Sequence, residues 1–228
     1  MKTAKRPKPG KTDKRARRAR DPHHARRPVG IDAAIASLWL VDPEAPWERV
    51  APTILPVLKR LRAPFAPMAE ALVMTVPPGI RTGFGIDAGP ALGHVDRSMV
   101  ERWGVSEATL LATALDNLAT LARREPPRVD HADIDGLAIT AVQASGWGSA
   151  LILAPDLLRP LIGPTPQLVF TPVRNTLVAV PVRTSLDDLE ALRFAFADGA
   201  PDALDADLLR WNGSTVVDLH DRTAGLPN

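Results

Sequence analysis

The chain has 228 residues and contains neither cysteine nor tyrosine. Without a thiol there is no disulfide, no thiolate nucleophile and no zinc–thiolate site. Aromatic residues are scarce, at 4%, although a hydrophobic content of 45% fits a globular protein. No apolar run approaches the ~18–20 residues of a membrane span. The basic N-terminus is not followed by an apolar stretch and a small-residue cleavage site, which excludes an ordinary secretory signal. Arg17-Arg18 and Arg26-Arg27 likewise lack the hydrophobic segment of a twin-arginine export signal. These absences lead us to expect a cytoplasmic protein without a membrane span.

Lysine is nearly absent beyond the leader, where Lys59 stands alone. Residues 1–28 hold 12 Lys/Arg against Asp13 and Asp21, a net +10, while the other 200 residues carry 16 basic and 24 acidic side chains, a net −8. The overall +2 therefore conceals two oppositely charged parts. The leader has almost no apolar residue with which to offset its ordering entropy, so the sequence predicts a disordered basic tail over 1–28 and a folded domain over 29–228. Arg15, Arg17, Arg18, Arg20, Arg26 and Arg27 are its candidate polyanion-binding residues. Such a tail attracts phosphates by counterion release, giving non-specific, salt-sensitive affinity for nucleic acid. Its plainer reading is a solubilising segment. It lacks the apolar residues that would insert into a lipid surface.

Within the body, Ile31, Ile35 and Leu38 fall at helical spacing, as do Trp47, Val50, Ile54, Val57 and Leu61, although Pro52 and Pro56 must kink or split that second stretch. "ALVMTV" (71–76) predicts a strand, and "IRTGFGID" (80–87) is its candidate partner across a Pro-Gly turn. Asp96 and Ser106 are suited to cap two helices, the first ended by Gly104 and the second by Pro126-Pro127. "GLAITAV" (136–142) alternates as a strand does, and "SALILA" (149–154) reads as a fully buried strand followed by a short helix over 157–161. A hairpin pairs 167–172 with 176–181. Ser185 and Asp188 then form a capping box for a helix bearing Leu189, Leu192 and Phe196. "LLRWNGSTVVDL" predicts a closing hairpin with Asn212-Gly213 in a type I′ turn. Helices and strands are partly segregated, so the expected fold class is α+β: a single domain with a mainly antiparallel sheet flanked by helices.

From about Ala71 to Val217, "VERWGVSEATLLATALDNL", "GWGSALILAPDLL", "FTPVRNTLVAV" and "ALDADLLRWNG" occur in that order. In order and spacing the chain resembles the YtpQ-like family of uncharacterised bacterial proteins, a domain of unknown function. That family shows a Gly-x-Ser/Thr helix start, a small-residue strand, a Val-Pro-x-Arg-Asp-type hairpin and a leucine-rich turn into a last hairpin. Here Arg174 keeps the arginine and Asn175 stands in place of the aspartate. The resemblance implies a cytoplasmic α+β protein and brings no activity. It does not extend to the basic leader.

Arg174 raises a specific question, since it stands at the tip of a hairpin that is otherwise strongly apolar. A guanidinium there can fork onto a carboxylate or phosphate of a partner. A tight turn also simply favours polar residues, and Asn175 tolerates the left-handed conformation. Arg174, Asn175 and Trp147 are the candidate partner-binding residues, Trp147 being either an exposed recognition aromatic or a core anchor between Gly146 and Gly148. "DHADID" places Asp130, His131, Asp133 and Asp135 close together, a donor set for a divalent metal, or else a plain turn into a strand. It lacks the spacing of a calcium loop. His94 and Asp96 could join one of Ser98, Ser106, Ser145 or Ser149 in a hydrolase, yet none of these serines sits in a Gly-x-Ser-x-Gly elbow. "GFGIDAGPALG" has neither a dinucleotide fingerprint nor the lysine of a phosphate loop. We therefore expect no catalytic residue, metal or cofactor. The leading expectation is an accessory binding protein with an unknown protein partner. The alternative is a hydrolase or metal-dependent phosphoesterase using His94/Asp96 and His131/Asp133/Asp135.

Overall fold

The computed structural model describes residues 42, 44–58, 71–87, 92–198, 200, 203–204 and 208–219. The leader, its six arginines, the boundary at 28/29 and the helix expected around Ile35 lie outside the described residues.

The helical stripe expected from Trp47 to Leu61 breaks where its prolines stand. A short helix α1 (Trp47–Val50) passes into a 3-10 turn over Ala51–Thr53 and then into strand β1 (Ile54–Leu58). A proline inside a helix removes a backbone donor and clashes with the preceding turn; at a sheet edge it costs no ladder bond. Pro56 occupies such an edge, opposite Phe84. Strand β2 (Val73–Val76) turns through Pro77–Gly79 into β3 (Ile80–Asp87), as the Pro-Gly turn predicted, and β4 (Leu92–His94) returns along β3. β3 is thus flanked by β1 on one side and by β2 and β4 on the other.

Two capped helices follow. In α2 (Arg97–Trp103), Asp96 Oδ1 accepts from Met99 N at 2.8 Å, and Gly104 closes the helix with φ 64°. In α3 (Glu107–Arg124), Ser106 Oγ accepts from Thr109 N at 3.1 Å. α3 buries Leu110, Ala114 and Leu118 along one face. Leu110 and Ala114 join the core beneath the first sheet, with Phe84, Ile86 and Met99. Leu118 joins the central core, with Leu55 and Leu58 of β1. The Asn117 amide fastens the same helix to β1, donating to the carbonyls of Ala51 (2.6 Å) and Ile54 (2.9 Å).

The second sheet contains β5 (Arg128–Ile134), β6 (Leu137–Gln143), β7 (Gln167–Val173), β8 (Thr176–Pro181), β9 (Leu209–Trp211) and β10 (Val216–Asp218), in the order β10-β9-β7-β8-β6-β5. Every named strand pairing is antiparallel, in both sheets. The fold is α+β as expected, its described strands forming two sheets.

"SALILA" is not a strand. Gly148–Leu153 form a wholly buried 3-10 turn that leads into α4 (Pro155–Ile162). A short unbroken apolar run carries no periodicity that separates a buried strand from a buried helical turn. α5 (Leu186–Ala197) has the expected capping box: Asp188 N donates to Ser185 Oγ at 3.1 Å and that hydroxyl donates to Asp188 Oδ2 at 2.7 Å. The closing hairpin forms too, but across four residues. Asn212 Oδ1 accepts from Ser214 N and Thr215 N at 3.0 and 2.9 Å, and only Gly213 adopts positive φ, so no two-residue type I′ turn is present.

Candidate functional site at the hairpin tip

The β7–β8 ribbon is apolar because both of its faces are covered. Leu168, Phe170, Val178 and Val180 pack against Leu189 and Leu192 of α5. Val169, Leu177 and Ala179 point the other way, into the central core with Trp147, Leu151 and Trp211. Period-two alternation thus serves two cores at once. The tip, Arg174-Asn175, is what remains for solvent, with Asn175 exposed and Arg174 half-buried.

That tip is held through its backbone. Ala144 N donates to Asn175 O at 2.9 Å and Ser149 N donates to Arg174 O at 3.0 Å. Gly148 lies so close beneath the turn that an added Cβ would overlap the Asn175 carbonyl oxygen and meet its carbon at 2.7 Å. Gly146 supplies the other conformational need, with φ 83°. Asn175 does not use the left-handed conformation: among the described residues the single non-glycine with positive φ is Asp135. The turn is accommodated by a register shift between Phe170 and Val173, which places Pro172 in the irregular stretch. A bulge of this kind supplies twist without left-handed residues and tolerates a proline. The Asn175 side chain instead accepts from Thr176 Oγ1 at 2.9 Å.

Trp147 is 4% exposed. Its ring is a core anchor, so the exposed-aromatic reading is corrected: the tight Gly146–Gly148 turn drives the indole inward beneath the tip. The candidate contact surface is therefore Arg174 and Asn175, supported by Trp147, Gly148 and Ser149. The Gly-Trp-Gly spelling hinted at close backbone approach. The partner of that approach, Asn175, is distant in sequence and could not be read there.

The other candidates are placed as follows. Asp130–Ile134 of "DHADID" belong to strand β5, paired with β6 through a two-residue Asp135-Gly136 turn with φ 54° and 84°. Asp-Gly between alternating strands is a strong hairpin signal, and the reading of a plain turn into a strand holds at Asp135-Gly136, with the residues before it forming the hairpin's first strand. Asp130 pairs with Arg128 at 2.8 Å, His131 Nδ1 lies 3.1 Å from Thr140 Oγ1, and Asp133 accepts from Gly136 N at 2.8 Å. Strand alternation also sends Asp130 to the opposite face from His131 and Asp133. Among the described residues no group of three or more His, Cys, Asp or Glu side chains could hold a metal ion. His94 lies on β4 in the first sheet and His131 on β5 in the second, so the two halves of the hydrolase reading belong to different sheets. The Asp96 carboxylate is engaged as the α2 cap and with Ser98 Oγ at 2.8 Å. No described helix is long and apolar enough to cross a membrane.

Comparison of the chain with protein-family models, curated proteins and solved structures yields no match. The resemblance to the YtpQ-like family accordingly stands on residue order and spacing alone.

Proposed function

We propose that the protein is a non-catalytic, cytoplasmic accessory protein of the YtpQ-like kind. Its α+β body docks a protein partner, and its basic leader draws the complex to nucleic acid or another polyanion. The observation that carries the proposal is the charge partition, +10 over residues 1–28 against −8 over the other 200. A polyanion is attracted by the first part and repelled by the second, so its contact is confined to the leader. The hairpin tip suits the docking role, because the main-chain carbonyls of Arg174 and Asn175 fix its position at the surface, with Asn175 exposed and Arg174 half-buried. A guanidinium carried on a turn held in this way can fork onto a carboxylate of the partner.

The test is a gel shift on duplex DNA across a salt series. The wild-type protein is compared with a variant in which Arg15, Arg17, Arg18, Arg20, Arg26 and Arg27 are glutamine. Wild-type affinity should fall steeply with salt, by about 0.9 log unit per log unit for each phosphate neutralised, and should ignore sequence. The variant should bind weakly with a shallow salt slope. Equal shifts from both proteins would remove the leader from the account.

A further inference from the structure

Five large apolar side chains are exposed among the described residues: Ile134, Val182, Leu186, Phe194 and Leu219. Leu186, 72% exposed, and Phe194, 70% exposed, both stand on α5. At 100° per residue their directions differ by about 80°, with Glu190 between them. Phe194 points away from the side that buries Leu189 and Leu192 on the sheet, and Leu186 stands on its flank, about 60° from Leu189. Phe194 has Asp187 and Glu190 on the turns before it and Asp198 on the turn after, all exposed. None of these three carboxylates makes an ion pair among the described residues. Asp187 lies in the first helical turn, where the helix dipole favours a carboxylate, and so has a local reason to be there. Asp198 stands at the C-terminal end, where the dipole disfavours negative charge, and the last turn carries no basic residue.

We infer that this face of α5 docks a cationic, amphipathic segment of a partner protein. Lysine or arginine side chains of such a segment pair with Asp187, Glu190 and Asp198, and a cation can lie over the Phe194 ring, whose π face attracts positive charge. Apolar residues of the same segment cover Leu186 and the rest of Phe194. A second copy of the chain fits poorly, because it would bring the same carboxylates against one another, and like charges across an interface repel. Nucleic acid is excluded for the same reason. The inference rests on the docking reading above and adds to it a second contact surface, apart from the hairpin tip, with the chemistry of the segment it takes. The leader and this face would thus take ligands of opposite sign.

Fluorescence anisotropy of a labelled amphipathic leucine–lysine peptide, titrated with the full-length protein at low salt, tests the inference. Wild-type protein should bind this peptide more tightly than a control peptide with serine in place of leucine. Phe194→Ser, at an exposed position, should weaken binding by about tenfold or more, as expected for exposing an aromatic contact. The combined variant Asp187→Asn, Glu190→Gln and Asp198→Asn should weaken binding and flatten its salt dependence. Equal affinity of the wild type and Phe194→Ser overturns the inference. So does a dimer in sedimentation that Phe194→Ser dissociates, which would identify a second copy as the occupant. Tighter peptide binding by the leader variant with six arginines changed to glutamine also overturns it, since the chain's own leader would then be covering the face. Retention of cellular proteins separates the two levels. Equal retention by the wild type and Phe194→Ser refutes the α5 surface alone, while no retention by the wild type refutes the docking role itself.

Discussion

Replacing Gly148 by alanine puts a methyl group where the Asn175 carbonyl already stands. The listener to that clash is backbone on both sides, the 3-10 turn over Gly148–Leu153 and the start of β8, so no flexible side chain can swing away. Either the turn or the hairpin tip must retreat. Overpacking of this kind costs about 1–3 kcal/mol. Retreat also stretches the bonds from Ala144 N to Asn175 O and from Ser149 N to Arg174 O. Losing one of them with its partner still buried costs about 1–3 kcal/mol more. A total of about 2–6 kcal/mol is a large part of the ~5–15 kcal/mol that holds a domain folded. For a chain of this size it lowers Tm by about 4–24 °C. Chemical denaturation should show a lower midpoint with an unchanged slope. Gly146→Ala is the first control: an added Cβ meets open space, but φ is 83°, so strain alone costs about 1–2 kcal/mol. Arg174→Ala is the second, and it should lower the midpoint less than Gly148→Ala because the anchoring carbonyl stays in place. A Gly148→Ala midpoint within ~0.5 kcal/mol of the wild type, the usual range of a neutral surface change, would refute the close approach. An Arg174→Ala cost equal to that of Gly148→Ala would show that the side chain, not the backbone, holds the tip.

Three further substitutions probe other joints. Asn117→Ala strips two carbonyls, Ala51 and Ile54, of their shared donor and should cost about 1–3 kcal/mol in chemical denaturation; no change would mean that α3 and β1 are held by apolar packing alone. Thr171 is fully buried, and its hydroxyl has no hydrogen-bond partner among the described residues, so Thr171→Val should stabilise the protein by about 1–3 kcal/mol. A loss of stability would show the hydroxyl to be bonded. Asp96→Ala should cost about 1 kcal/mol and Asp96→Asn much less, as befits a helix cap, read from the thermal melts of both. Equal losses from the two would point to a role for the charge.

Local signals were legible wherever one short stretch contained all the atoms concerned. The Asp96, Ser106 and Ser185 caps, the Gly104 stop and the β7–β8 hairpin each depend on residues a few positions apart. The misreadings have physical causes as well. Trp47, Val50, Ile54, Val57 and Leu61 keep helical spacing, yet Pro52 and Pro56 make continuation costly, and the edge of the first sheet accepts the chain as β1 instead. The acidic "DHADID" suggested ligands, whereas its alternation places it at the sheet's edge, where charge discourages further strand pairing. Asn212-Gly213 matched a two-residue turn, but the asparagine side chain satisfies two backbone N–H groups and widens the loop to four residues. The candidate site was harder still. Gly148 matters only because Asn175 comes to lie above it, and Leu186 and Phe194 are informative only once the opposite face of α5 is seen to be buried.

The hairpin now answers the question its sequence raised. Both faces of β7–β8 are committed to cores, and the tip is fastened by two main-chain carbonyls. Folding therefore uses the backbone of Arg174 and Asn175, and main-chain bonds of this kind place no demand on residue type. An arginine is accepted here. The double variant Arg174→Ala with Asn175→Ala keeps both anchoring carbonyls and loses the bond from Thr176 Oγ1 to Asn175 Oδ1 together with the further interaction that Arg174 makes. Its stability in chemical denaturation should fall by about 1–3 kcal/mol, the net worth of two such interactions. If the tip docks a partner, the same variant should lose that partner while remaining folded, whereas Gly148→Ala should lose partner and stability together. Retention of the partner by the folded double variant would take the tip out of the docking surface and leave the α5 face as its remaining candidate.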